Sequence, residues 1–505
     1  MRLGIDFGTT RTVVAAADRG NLPVLGFDDE HGDVHDHLPT AVALGEDGRL
    51  LGGWGAEAAA LAGRPVARSF KRLLAEGGAT GAEPVAFGAA SRPLREVLEA
   101  FAREVVRAVR EDSTLAEDAA GAELLAVVGV PAHAHSAQRL LTLDAFRAAG
   151  VEVLALVNEP SAAAFEYTHR HARSLSSRRT GVVVYDLGGG TFDASLVRVD
   201  GVDHEILLTT GLNRLGGDDF DVELAMLAAA RAGTSLDALE AGDRARLLLD
   251  ARIAKEGLVP QSRRMLLDVG EASIAVPVGD FFDAAAPLVE TTIDALGPLL
   301  GGLDAAALAE SEIAGIYLVG GASGLPLVPR RLRERFGRRV HRSPHPGAST
   351  AIGLAIAADP GSGFTLRDRL GRGIGVFRER DAGRSVAFDP LVDAGALLGA
   401  DGELEVTRRY RAAHTLGAFR FVEFTRLDAD GEPRGDLLPL AELLVPFDAA
   451  LADGRDLADA PVDRRGDGPL VEERIRIDVN GVASIRIAVP ELGVEIERDA
   501  ALAGS

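Results

Sequence analysis

Two short segments of this 505-residue chain repeat one another, and that repetition narrows the fold more than any other feature. Leu3 to Ala15 (LGIDFGTTRTVVA) and Val182 to Val197 (VVVYDLGGGTFDASLV) each run from an apolar strand through an aspartate and a small-residue turn into a second apolar strand. Asp6 and Asp186 are 180 residues apart, so two related halves are expected, each opening with a β-hairpin. Between the repeats Leu94, Val97, Leu98, Phe101, Val105 and Val109 recur at helical spacing behind Pro93, which predicts a helix with that stripe in the core. VVGV (127–130), ending at Pro131, and IYLV (316–319), ending at Gly320-Gly321, read as buried strands that feed turns.

The texture changes after Ala358. Asp359-Pro360-Gly361-Ser362-Gly363 is a breaker cluster, and helical periodicity is lost beyond it. We therefore expect an α/β unit over 1–358, a linker over 359–370 and an all-β unit over 371–505. Ile475, Ile477 and Val479, then Ile485, Ile487 and Val489, alternate on either side of Asn480-Gly481, the signature of a two-residue hairpin turn. Phe419 and Phe421 alternate likewise. The formal charge of −22 disfavours phosphate backbones and anionic membrane surfaces, so neither nucleic acid nor membrane is expected as a partner. The chain has no cysteine, which excludes disulfides and thiolate chemistry. Asp6 interrupts the N-terminus before an apolar core of a signal peptide forms, and the reading is a cytoplasmic protein.

The repeated turns carry the chemistry. Gly8 permits close backbone approach while Thr9 and Thr10 offer hydroxyls and N–H groups, and Gly188, Gly189, Gly190 and Thr191 repeat the pattern. Two such loops facing each other would clamp a polyphosphate, with Asp6 and Asp186 holding hydrated Mg²⁺. A third loop, Gly320-Gly321-Ala322-Ser323-Gly324, between a strand and a helix, would approach a nucleoside. His133 and His135, and His169 and His171, have ligand-like spacing but no evident third ligand, so they read as surface loop or helix residues. The arginine pairs 330–331 and 338–339 read as a solvated face.

With these residues in view the chain resembles the 70-kilodalton heat-shock chaperones of the DnaK type. The matching segments are GIDFGTT (4–10), SFKRLL (69–74), VGVPAHAHSAQR (128–139), NEPSAAAFEY (158–167), YDLGGGTFDASL (185–196), LGGDDFD (215–221) and LVGGASGLP (318–326). The weaker matches FDPLVDAG (388–395), FRFVEF (419–424), VPFD (445–448) and IDVNGVASI (477–485) resemble the family's β-sandwich peptide-binding domain. The resemblance implies an actin-like, two-lobed nucleotide-binding domain of duplicated ribonuclease-H-like fold, followed by that β domain. It also implies ATP/ADP and Mg²⁺ as cofactors and slow ATP hydrolysis. Lys71 would position the attacking water and stabilise the transferring phosphoryl group, and Glu159, Asp186, Thr191 and Asp193 would surround that water and the γ-phosphate. Gly216, Gly217 and Lys255 join the loops as nucleotide-binding positions, and Pro131 and Arg139 match residues that relay nucleotide state between domains.

Departures from the pattern are equally specific. Where the family grips adenine and ribose, Arg252 usually is Glu, Glu256 usually Arg, Val259 usually Ser, Ala322 usually Ser and Gly324 usually Arg; Gly347 usually is Asp. Both stacking arginines are lost, so weaker or less adenine-selective binding is expected. The linker candidate Phe364-Thr365-Leu366-Arg367-Asp368 lacks the leucine-rich acidic character of the family, which leaves its docking open. No segment matches the family's helical lid, and fast client exchange is the expectation. The resemblance thus implies a chaperone that binds unfolded polypeptide or a dedicated protein partner, with a J-domain co-chaperone and an exchange factor as further partners. A nucleotide-gated scaffold with little hydrolysis and a small-molecule kinase of the same superfamily are the alternatives.

Overall fold

The computed structural model describes residues 1–499 except 30, 77, 172–178, 202, 213, 260, 301–311, 364, 368–369, 381–383, 400–401 and 453–455. The two repeats open two sheets of related plan. In the first, β1 (Arg2–Phe7) and β2 (Arg11–Ala17) form the hairpin, and β3 (Leu38–Pro39) lies along β2. Helix α1 (Leu94–Glu111) precedes β4 (Leu125–Val130), and helix α2 (Ser136–Ala148) leads to β5 (Glu152–Asn158), giving the order β5-β4-β1-β2-β3. All six residues of the stripe expected on α1 are buried. Helix α3 (Glu159–His171) crosses to the second sheet, where β6 (Gly181–Leu187), β7 (Phe192–Asp200) and β8 (Asp203–Leu212) form a meander.

Helices α4 (Gly217–Arg231) and α5 (Ala241–Glu256) follow, then β9 (Ile313–Val319), α6 (Leu327–Phe336), β10 (Val340–Arg342) and α7 (Ser349–Ala358). β9 joins β6 in parallel and β10 joins β9, so each lobe is an antiparallel hairpin flanked by parallel strands. β6 and β9 are apolar along nearly their whole length because helices cover both faces of such a sheet. Helices α3 and α7 cross between the lobes, and Gly353 makes the crossing possible. A Cβ at that position would overlap the Ala162 carbonyl.

From Gly373 onward the described residues contain no α-helix. The strands β12 (Gly373–Arg380), β13 (Ser385–Val392), β14 (Leu404–Arg411), β15 (Leu416–Leu427), β16 (Pro433–Pro446), β17 (Leu470–Ile477), β18 (Ala483–Val489) and β19 (Val494–Asp499) follow β11 (Thr365–Arg367). They make two four-stranded antiparallel sheets, β13-β12-β15-β16 and β14-β17-β18-β19. Ile374, Val376, Phe419 and Phe421 of one sheet pack with Ile475, Ile477, Ile485 and Ile487 of the other.

Two local expectations change here. The β17–β18 connection is five residues long rather than two, because Ile477 pairs with Ala483. Asp478 Oδ1 accepts from both Asn480 N and Val482 N at 2.9 Å, and this side-chain-closed turn removes Val479 from the strand and leaves it exposed. The linker question is answered by β11, whose backbone pairs in parallel with Asp203–Glu205 of β8; Phe364 and Asp368 lie outside the described residues. Among the described residues no helix is long and apolar enough to cross a membrane.

Candidate active site

The two hairpin turns face each other across the cleft between the lobes. Gly189 sets their closest approach, since a Cβ there would stand 2.5 Å from Thr10 Oγ1. Gly320, at φ +82°, turns the third loop against Asp186 so tightly that a Cβ would overlap its carboxylate. The result is one cavity of about 1030 Å³. Its wall contains Asp6, Gly8, Thr9 and Thr10 from the first turn, Asp186, Gly188, Gly189, Thr191 and Asp193 from the second, and Gly320, Gly321 and Ala322 from the third. Lys71, Glu159, Gly217, Lys255 and Pro131 line it too. Gly190 and Gly216 do not. They pack behind the wall, where a Cβ on Gly216 would meet Gly190 N at 2.6 Å, and Gly190 lies under the Arg72 guanidinium. The bare Gly216 backbone leaves room for α4 to start directly behind the second turn.

Lys71 is not a solvated lysine. Its side chain is 5% exposed, its ammonium donates to the Phe7 carbonyl, stands 3.1 Å from Glu159 Oε1 and lies 5.0 Å from the centroid of the Phe7 ring. The short 3₁₀ turn Phe70–Ala75 that delivers it begins after Ser69, held at φ +54°, a left-handed conformation worth roughly 1–3 kcal/mol of strain. Around this ammonium stand Asp6, Glu159, Asp186 and Asp193. Burial first, then the charge of Glu159, pushes Asp6 and Asp193 each up to about 7, with Lys71 opposing. Asp186 is held well above the ordinary carboxylate range by burial and by Glu159, Asp6 and Asp193. Four carboxylates against one ammonium leave negative charge that a divalent cation would balance. Among the described residues no three His, Cys, Asp or Glu side chains are placed to hold a metal directly.

Ion pairs that the sequence did not suggest also line the cleft. Arg72, in the turn that carries Lys71, donates to Asp218 of α4 at 3.0 Å, and Arg252 donates to the other Asp218 oxygen at 2.9 Å. Lys255 is taken by Asp221 at 2.5 Å and by the Gly217 carbonyl at 2.6 Å. Arg11 pairs with Glu256 across the gap. The two departures at 252 and 256 are thus one rearrangement: with the charges exchanged, each residue finds its partner within or across the lobes. Arg342 also lines the cavity, and its Nη2 comes within 3.3 Å of where a Gly324 Cβ would stand. A guanidinium therefore fills space beside the position that lost one.

Arg139 is buried rather than a surface charge. It donates to Asn158 Oδ1 at 2.6 Å, to the Ala134 carbonyl at 3.2 Å and to the Asn480 carbonyl at the β17–β18 turn at 3.0 Å. Asn480 Oδ1 in turn accepts from Leu156 N at 3.1 Å. The surface reading of His133 and His135 is overturned by the same junction: His135 caps α2 and is buried, and His133 is half-buried, because the β unit covers them. His169 sits on α3, and the side chain of His171 lies outside the described residues. Arg330 and Arg331 keep to the face of α6, over Phe282 and beside Glu290 and Glu334.

A sign follows from the carboxylates. Their folded-state affinities for protons exceed the unfolded ones, so the nucleotide-free protein binds more protons than the unfolded chain between the usual carboxylate range and about pH 7. Stability from this cluster is present below that window and is lost as pH rises through it. Thermal melts of the nucleotide-free protein from pH 5 to 8 should fall more steeply than those of Asp193→Asn, and Mg·ADP should flatten the difference. Parallel slopes for the two proteins would contradict the placement of these charges.

Comparison with known proteins agrees with this site. Residues 98–370 match the Hsp70 protein family. Proteins named "Chaperone protein HscA homolog" from Burkholderia mallei (strain SAVP1) and Burkholderia pseudomallei (strain K96243) are each 37% identical over 385 residues, covering 71% of this chain and 58% of theirs. One from Laribacter hongkongensis (strain HLHK9) is 36% identical over 371 residues, with the same coverage. The chain thus spans less than two thirds of the length of these relatives. With more than half of its residues inside the family match, the chain belongs to the Hsp70 family.

Proposed function

We propose that the interlobe cleft binds Mg·ATP and hydrolyses it slowly, and that the β unit binds polypeptide under the control of that nucleotide. The observation that carries this reading is the Lys71 ammonium, withdrawn from solvent among four carboxylates at the floor of two facing Asp-Gly turns. The actin-like plan is supported by the duplicated sheets and by membership of the family. Asp6 and Asp186 would hold Mg²⁺ through water, and the ion would neutralise the phosphate oxygens. Lys71 orients the attacking water and balances charge on the γ-phosphoryl group. The water oxygen bonds to the γ-phosphorus as the bond to the β,γ-bridging oxygen breaks, and ADP leaves with that electron pair. Asp193, pushed up to about 7, is poised to take the proton near neutrality.

Client binding rests on the β unit, which lies almost wholly outside the residues of the family match, and on the relatives' name as chaperones. Arg139, which joins Asn480 to Asn158 beside Glu159, and β11, which adds to the nucleotide-lobe sheet, support communication between the two units. A J-domain co-chaperone and an exchange factor are the partners this reading implies.

Single-turnover hydrolysis of Mg·ATP by the whole chain, beside Lys71→Ala, tests the proposal. Wild type should turn over slowly and the variant about 100-fold more slowly or less. ATP binding without Lys71-dependent hydrolysis would favour a nucleotide-gated scaffold instead. Base recognition is separately testable. With Arg252 and Glu256 engaged in ion pairs, Arg342 is left to stack on the base, and a guanidinium stacks on either purine. ATP and GTP should bind within about tenfold of each other, and Arg342→Ala should weaken both by a factor of about 2–30. Strong adenine selectivity untouched by Arg342→Ala would refute this.

A further inference from the structure

Six of the charged side chains on the cavity wall, Arg11, Arg72, Asp218, Arg252, Lys255 and Glu256, belong to one linked set. Arg72 donates to Asp218 Oδ2 at 3.0 Å and Arg252 to Asp218 Oδ1 at 2.9 Å. Arg252 Nε also lies 3.6 Å from Asp221, whose other oxygen holds Lys255 at 2.5 Å. Glu256, the next residue, pairs with Arg11. Arg11 and Arg72 belong to the first lobe, and Asp218, Asp221, Arg252, Lys255 and Glu256 to the second. The set therefore crosses between the lobes twice, at Arg72–Asp218 and at Arg11–Glu256. Each crossing residue is the chain neighbour of one that the nucleotide reading places against the ligand: Arg11 follows Thr10, Arg72 follows Lys71, Asp218 follows Gly217 and Glu256 follows Lys255.

The charge exchange at 252 and 256 is matched to these crossings. A glutamate at 252, usual in the family, would set a like charge against Asp218 and Asp221, and an arginine at 256 would set one against Arg11. As the chain stands, each of these contacts joins opposite charges. The crossings are partly open to solvent: Arg11, Glu256 and Arg72 are each 41% exposed and Asp218 28%. Pairs of that exposure are individually weak and screened by salt, so they hold reversibly rather than lock the lobes. Parting them buries no unpaired charge. Asp218 keeps Arg252, while Arg11 retains Asp36 of its own lobe, a carboxylate held below the ordinary range chiefly by its hydrogen bond to His37 and in part by Arg11.

We propose that the two crossings form a clasp between the lobes, and that Arg252 and Glu256 exchange a grip on the base for this grip on the opposite lobe. Resting on the nucleotide reading above, the clasp sets how fast ADP leaves: both pairs must break before the lobes part and the nucleotide is released. Arg11, Arg72, Asp218 and Glu256 are positioning residues here, since they act by joining the lobes rather than by touching the ligand. Nucleotide exchange in this chain is thus gated by charge.

The test uses the full chain loaded with Mg²⁺ and N-methylanthraniloyl-ADP, chased with unlabelled ADP in a stopped-flow instrument. Release should quicken about two- to fivefold in Glu256→Gln and in Arg72→Gln, and by about the product of the two in the double variant, because the pairs share no residue. Raising the ionic strength from about 0.05 to about 0.5 M should speed wild type and leave the double variant nearly unchanged. The reversed pair, Arg11→Glu with Glu256→Arg, should return release to within about twofold of wild type where Arg11→Glu alone does not, a recovery that a merely structural role would not give. Release indifferent to these substitutions and to salt overturns the clasp. The lobes can also be followed without nucleotide. The chain has no cysteine, so spin labels at Leu61→Cys and Leu266→Cys, both exposed and one on each lobe, read the interlobe distance. The double variant Glu256→Gln with Arg72→Gln should give a longer and broader distribution than wild type, and an unchanged distribution overturns the clasp. If the labelled ADP fails to bind, the nucleotide reading falls, and the interlobe distance upholds or overturns the clasp by itself.

Discussion

Lys71 among Asp6, Glu159, Asp186 and Asp193 is the interaction on which the rest of the structure depends. Like charges a few ångströms apart away from bulk water repel by about 4 kcal/mol per pair at an effective dielectric constant of 20. Such a cluster persists only where the surrounding frame over-determines it. The frame is visible in Gly320 pressed on Asp186, in Gly189 pressed on Thr10, in the strained Ser69 and in the glycine-mediated crossing of α3 and α7. The same frustration that raises the carboxylates toward neutral pH is what a cation bound in the cleft, as proposed above, would relieve.

The cluster is also wired to the other half of the molecule. Glu159 follows Asn158, Asn158 accepts from Arg139, and Arg139 donates to the turn of the β unit at Asn480. Asn158, the chain neighbour of Glu159, thus contacts a buried guanidinium with three defined acceptors. Glu423, reaching from β15 to cap Ser136 at the start of α2, gives the junction a second buried anchor. The arrangement is physically continuous, and its two ends are the lysine and the turn.

Much of this was legible in the sequence because it is locally encoded. The turns Asp6–Thr10 and Asp186–Thr191 are marked by glycines that the close approaches require, and the α1 stripe is marked by periodicity. What was not legible depends on distant partners. Arg252 and Glu256 looked like simple losses until Asp218 and Arg11 supplied their counterions. His135 and Arg139 have the composition of surface residues and are buried only because another unit covers them. The Asn480-Gly481 pair signalled a hairpin correctly but not its length, since Asp478 closes a wider turn with its side chain.

The central claim is that this cleft is completed by a cation-bound nucleotide. Calorimetric titration of ATP with and without Mg²⁺, repeated at pH 7 in buffers of different ionisation enthalpy, tests it most directly. The account predicts affinity at least tenfold higher with Mg²⁺ and a net release of protons on binding, as Asp6 and Asp193 surrender those they hold near neutrality. Binding that is indifferent to Mg²⁺ and exchanges no protons would contradict it.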